Sequence, residues 1–141
     1  MVSVGIHPTN EHIELFESVK TDRKNRALSL KLNDARNALE LDFVEGRDFT
    51  LEQLAEKLPP NDCRFVVFDF EYKTFESPPR ETSKLILIMW NPDSAPIKVR
   101  MPFSSTKGDL KSSFTGIQKD IQASDLSFLD YEYLRKEVEH R

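Results

Sequence analysis

Cysteine, glycine and histidine are all scarce in this chain of 141 residues, and each scarcity removes a class of function. The single cysteine, Cys63, has no partner within the chain for a disulfide, which points to a reducing compartment, the cytosol in the simplest case. The four glycines, Gly5, Gly46, Gly108 and Gly116, never take the spacing with which a glycine-rich loop cradles phosphate, so nucleotide binding of that kind is excluded. The three histidines, His7, His12 and His140, make no HExxH arrangement and have no cysteine partner, so neither a metal nor another cofactor is expected. No run approaches the roughly 20 apolar residues of a membrane span, and MVSVGIHPTNE lacks the apolar centre of a signal peptide. A formal net charge of −4 argues against a general nucleic-acid binder, which needs dense Lys and Arg to displace counterions from phosphates.

What remains is an ordinary soluble composition, 38% hydrophobic and 31% charged, in a chain long enough for one cored domain over residues 3–139, expected as a monomer. Thr9 is placed to cap a helix from Asn10 to about Thr21 with Ile13, Phe16 and Val19 inward. ALSLKL alternates as a half-buried strand, and ALELDFV should pair with it, placing Leu39, Leu41 and Phe43 on one face. Thr50 and Gln53 form a capping-box pattern ahead of Leu51, Leu54 and Leu58, and Pro59 and Pro60 stop that helix. Phe65 to Phe68 and Leu85 to Trp90 are continuous apolar runs, the mark of strands covered on both faces. PDSAPIKVRM reads as a turn stiffened by Pro92 and Pro96 and then a strand, with Pro102 removing one ladder hydrogen bond. A helix from about Thr106 should carry Leu110, Phe114, Ile117 and Ile121 inward, and Asp130 should cap a last helix with Tyr131, Leu134 and Val138 inward. These elements predict an α/β fold in which a central mixed β-sheet of five to six strands is flanked on both faces by four to five helices.

Chemistry for catalysis is thin. Asp69 and Glu71 share one face of a strand as an acid/base pair would, but solvated strand residues give the same spacing. Cys63 opens an apolar run and reads more readily as a small core residue than as a nucleophile. Binding chemistry is richer. Lys98 and Arg100 share a strand face with Met101 pointing the other way, and with Lys107 and Lys111 just downstream they make a basic ridge suited to an acidic protein.

The run PPNDCRFVVFDFEY, followed by KLILIMWNPDSAPIKVRMPFSSTK, resembles the centre of the actin-depolymerising factor/cofilin family, and the resemblance extends from about Ser3 to Val138. It implies the fold of that homology domain, related to gelsolin, and a non-enzymatic role: binding actin monomers, with the ADP form preferred, and filaments, and promoting filament depolymerisation and turnover. The positions matching the family's monomer-binding surface are Ser3, Gly5, Ile6, Lys98, Arg100, Met101, Lys107, Lys111, Gly116 and Ile117. The chain departs from the family where Lys111 is followed by Ser112 rather than a second cation, and where the helix start reads STKG.

A second family surface grips the side of the filament. Lys84 matches its cation before the central strand, Thr82 replaces another, and the usual Glu-Arg pair of the last helix stands as Lys136-Glu137. Arg80, Arg135 and Lys136 are long enough to restore that field. Because the departures concentrate on this surface, weak severing relative to depolymerisation is nevertheless the expectation, with restoration of the field by those three side chains as the alternative. The resemblance also implies an inositol-lipid site overlapping the basic ridge, a regulatory phosphorylation site at Ser3, and a cytoplasmic, cytoskeletal location with nuclear entry in company with actin. A glia-maturation-factor-like regulator of actin branch junctions is the alternative, because DYEYLRKEV is similar to that group's ending.

Overall fold

In the computed structural model, which describes residues 6–139, Thr9 and Thr50 open two helices through reciprocal capping boxes. Helix α1 (Asn10–Lys20) has His12 where Glu or Gln would be usual: Thr9 Oγ1 accepts the His12 N–H at 3.2 Å, and His12 Nδ1 accepts the Thr9 N–H at 3.1 Å. Helix α2 (Leu51–Lys57) uses Thr50 and Gln53 in the same way and ends before Pro59.

Five strands, β1 (Asn25–Leu32), β2 (Leu39–Gly46), β3 (Arg64–Lys73), β4 (Glu81–Trp90) and β5 (Lys119–Ala123), form one sheet in the order β2-β1-β3-β4-β5. The first three pairings are antiparallel. The fourth, β4 with β5, is parallel and needs a crossover, which helix α3 (Ile97–Ser113) supplies. A 3-10 turn (Leu126–Phe128) leads into α4 (Tyr131–Glu139), whose first turn is capped by Asp130 accepting the Tyr133 N–H.

The continuous apolar runs in β3 and β4 are covered on both sides, as expected of central strands. Phe65, Val67, Leu85 and Leu87 meet α1 and α3; Val66, Phe68, Ile86 and Ile88 meet α2 and α4. On the first face Phe65 stacks on Phe103 with centroids 4.0 Å apart, and Phe16 stacks on Phe114 at 4.4 Å. Each buried ring contributes about 1.5–3 kcal/mol over an exposed one, so these two pairs anchor α1 and α3.

The structure corrects several expectations. The segment after Pro96 is helical rather than extended: Val99, Phe103, Thr106 and Leu110 are buried at helical spacing, and the carbonyl of Pro96 accepts the N–H groups of Val99 and Arg100. Pro102 lies inside that helix, past its first turn, so it cannot donate to the carbonyl of Lys98, while its own carbonyl accepts the Thr106 hydroxyl at 2.7 Å. The helix stops at Ser113, so Ile117 falls in the following turn and Ile121 lies in β5, against the opposite face of the sheet. In β2 the register shifts between Ser29 and Leu30, so Leu39 joins one core face, Phe43 packs on the other and Leu41 is exposed. Finally, β1 is buried on both sides at Ala27, Leu28, Ser29 and Leu30, and Tyr131 sits at the surface.

Candidate functional site

The exposed face of α3 is one continuous helical surface. Ile97 and Met101, 69% and 65% exposed, lie one turn apart, followed by the small residues Ser104, Ser105 and Gly108 and then by Lys111 and Ser112. Two large apolar side chains left in water beside a small-residue platform favour covering by a partner. An open groove of about 480 Å³ bounded by Asn91, Ile97, Arg100, Met101, Ser104 and Ser105 runs along this face.

Because the segment is helical, Lys98 and Met101 are three residues apart on neighbouring positions of one helical surface, not on opposite faces of a strand. Lys98 is exposed and has no ion pair among the described residues. Arg100 is half-buried: its Nε donates to Asn91 Oδ1 at 2.9 Å and its Nη2 lies 3.6 Å from Asp93. Lys111 Nζ and Lys107 Nζ converge on Asp120 Oδ2 of β5, at 2.6 and 3.9 Å.

The N-terminal segment joins this surface. Ile6 packs against the core cluster to which α3 contributes Val99, Phe103 and Leu110, and His7 Nδ1 lies 3.8 Å from Asp109 of the helix. Ser3 and Gly5 lie outside the described residues. Gly116 has φ +101° in the turn leaving α3, and Ile117 is half-buried beside it. The structure thus gathers Ile6, Lys98, Met101, Lys107 and Lys111 along α3 and leaves Gly116 and Ile117 at its far end. Ile97, Ser104 and Ser105 were missed by sequence reasoning; a helical reading from Pro96 onward would have placed them in line with Met101.

The second set of candidates lies across the sheet, where α4 packs. Lys84 shares the β4 face of Ile86 and Ile88 and is half-buried. Arg80, exposed in the β3–β4 loop, makes a two-pronged contact with Glu76 at 2.7 and 3.2 Å. Lys136 is exposed on α4. Arg135 is turned inward, donating to the carbonyls of Lys73 and Thr74.

The possible catalytic residues are otherwise engaged. Asp69 is 4% exposed, not solvated as its spacing suggested; its Oδ2 lies 2.9 Å from Arg47 and 3.1 Å from Arg23, and Glu71 is held by Arg23, Arg26 and Arg47. Arg26 also donates to the carbonyls of Asp69 and Phe49, and burial lowers its pKa from the usual arginine value. Burial, reinforced by Asp62, pushes the Cys63 thiol up to about 11, leaving it a buried neutral group beside Asn91. Among the described residues no cluster of three or more His, Cys, Asp or Glu is placed to hold a metal, and no helix is long and apolar enough to cross a membrane.

The family model described as cofilin/tropomyosin-type actin-binding protein matches residues 5–139. Cofilin of Schizosaccharomyces pombe is 35% identical over 134 residues, 95% of both chains. The crystal structure of Streptomyces griseoflavus cofilin superposes with a TM-score of 0.84 at 26% identity, over 95% of this chain and 97% of that one. Glia maturation factor of Caenorhabditis elegans shares the fold, with a TM-score of 0.69 at 19% identity over 96% of this chain and 98% of its own. The sequence relationship thus favours the cofilin side of the fold over the branch-junction alternative.

Proposed function

The chain belongs to the cofilin and actin-depolymerising factor family, and on that premise we propose that it binds actin monomers through α3 with the N-terminal segment, engages filament sides through the α4 side of the sheet, and so promotes depolymerisation. The observation that carries this reading is the unbroken exposed face of α3, which offers Ile97 and Met101 to an apolar cleft and Lys98 and Lys111 to an acidic rim. Charge complementarity of this kind sets orientation and encounter rate, while the apolar centre supplies most of the affinity.

The protein acts by differential binding rather than covalent chemistry. A ligand shifts a conformational equilibrium only by as much as its affinities for the two states differ, so preference for ADP-actin, and for one filament twist over another, is what would drive disassembly. Ser3, Gly5, Ile6, Arg100, Lys107, Gly116 and Ile117 complete the monomer surface; Lys84, Arg80, Arg135 and Lys136 form the filament surface. Anionic inositol lipids would compete for Lys98, Lys107 and Lys111, at roughly 1 kcal/mol per cation near a membrane surface. Phosphate on Ser3 would oppose binding by placing negative charge against an acidic partner. The site of action is the cytoskeleton, with nuclear entry in company with actin.

Sedimentation of actin filaments over a range of protein concentrations tests this directly, reading bound protein in the pellet and released actin in the supernatant. Protein in the pellet and a rise in soluble actin are expected. Actin distribution unchanged at saturating protein would end the depolymerising reading.

A further inference from the structure

Arg135 was grouped with the filament-facing cations, yet its surroundings are those of an internal fastener. Its Nε donates to the carbonyl of Lys73 at 2.5 Å and its Nη2 to the carbonyl of Thr74 at 3.0 Å. Its Nη1 lies 3.2 Å from Glu132 on the same helix, and the guanidinium carbon sits 3.8 Å from the centre of the Phe75 ring. All three guanidinium nitrogens are thereby engaged, and the side chain is only 19% exposed.

One turn earlier on α4, Tyr131 Oη accepts the Lys73 N–H at 3.0 Å. Two residues of one helix therefore hold both backbone groups of Lys73, the last residue of β3. From that fixed point the loop 74–80 closes on itself, because Thr74 N–H donates to the Arg80 carbonyl at 2.8 Å and Arg80 N–H to Thr74 Oγ1 at 3.0 Å. The outcome is a loop whose shape is set from below by α4, with Phe75 52% exposed on top of Arg135 and Arg80 at its margin.

We propose that Arg135 is a positioning residue of the filament surface: it fixes loop 74–80 in the form that presents Phe75 and Arg80 to the filament, and it does not carry the contact itself. The inference rests on the filament-binding reading above and assigns Phe75, an aromatic residue that charge matching overlooks, to the contact. A planar fork that bonds two successive carbonyls and stacks on a ring cannot be replaced by an ammonium group, which offers one point of charge. Preformed loop geometry also spares the complex the ordering cost that a mobile loop would incur on binding.

The test compares Arg135→Lys and Arg135→Ala with the wild-type protein, measuring filament affinity by cosedimentation, monomer affinity, and amide hydrogen exchange across 74–80. Faster exchange in the loop together with a roughly tenfold loss of filament affinity in Arg135→Lys, at unchanged monomer affinity, is the expected result. Conserved charge would not rescue it. Arg135→Lys is the milder variant and keeps the apolar stem, so it serves even if Arg135→Ala unfolds. Filament affinity retained in Arg135→Lys overturns the inference, whatever the loop exchange does, and leaves the filament reading standing. Wild-type protein that fails to pellet with filaments instead overturns the filament reading, and the inference with it.

Discussion

Lys20 lies across Gly116: a Cβ built on the glycine would sit 2.8 Å from Lys20 Cε, and the backbone there has φ +101°. Two separate demands therefore meet at one residue. The lysine stem can move aside, whereas the positive φ cannot be relieved by any neighbour. Gly116→Ala should lower stability by about 1–2 kcal/mol, seen as an earlier thermal transition. Adding Lys20→Ala should recover little of it. Full recovery in the double variant would show that the close approach, not the backbone, requires glycine.

On the face of α3, Lys98 and Arg100 should separate by mechanism. Lys98 touches no ion-pair partner among the described residues, while Arg100 bonds Asn91. Lys98→Ala and Met101→Ala should each weaken monomer binding by about 1–2 kcal/mol without moving the melting temperature. Arg100→Ala should lower both. A Lys98→Ala protein that binds as tightly as wild type would remove that residue from the interface.

His12 gives the fold a pH dependence with a definite sign. Its Nδ1 must stay unprotonated to accept the Thr9 N–H, and burial lowers its pKa from 6.5 despite the opposing pull of Glu11. The unfolded chain therefore binds the proton more readily than the folded one, so this contribution to stability is whole above about pH 6.5 and is lost as pH falls below it. Urea titrations at pH 7.5 and pH 5.5 should show the loss, and His12→Gln, which keeps a side-chain acceptor for the cap, should reduce it. An identical pH dependence in His12→Gln would assign the effect to other groups.

Asp69 is the buried anion between Arg23 and Arg47. Asp69→Asn leaves Arg23, Arg26 and Arg47 gathered around Glu71 alone. Breaking a buried pair costs about 3–5 kcal/mol; because Arg23 is half exposed and water can screen it, about 2–3 kcal/mol is expected here by urea denaturation. A loss below about 0.5 kcal/mol would mean that solvent already carries these charges.

The parts of the fold that could be read from the chain are those in which local and tertiary preferences agree. Thr9, and Thr50 with Gln53, mark helix starts by their own hydrogen-bonding chemistry, and the run from Phe65 to Phe68 is apolar because both faces are covered. The start of α3 was hidden because Ile97-Lys98-Val99-Arg100-Met101 alternates like a strand and Pro102 looks like a breaker. Only packing against Phe65 shows that Val99 and Phe103, four apart, are the residues that matter. Strand β5 is five residues long and takes its conformation from β4, so its local sequence says little. The bulge in β2 left no mark in the pattern of Leu39, Leu41 and Phe43. For the binding surface, residue identity announced the cations but not which of them were already spoken for.

Asp120 bears on how association should respond to ionic strength. Because its carboxylate holds Lys111 closely and Lys107 at longer range, part of the positive field on the end of α3 is neutralised before any partner arrives. An acidic partner gains those lysines only by displacing a carboxylate they already have, so the attraction replaced is of the same kind as the attraction formed. Added salt screens both alike. The association rate of the wild-type protein should then fall with salt less steeply than a count of its lysines suggests, and Asp120→Asn, which frees both at once, should bind faster at low salt and lose that advantage as salt rises.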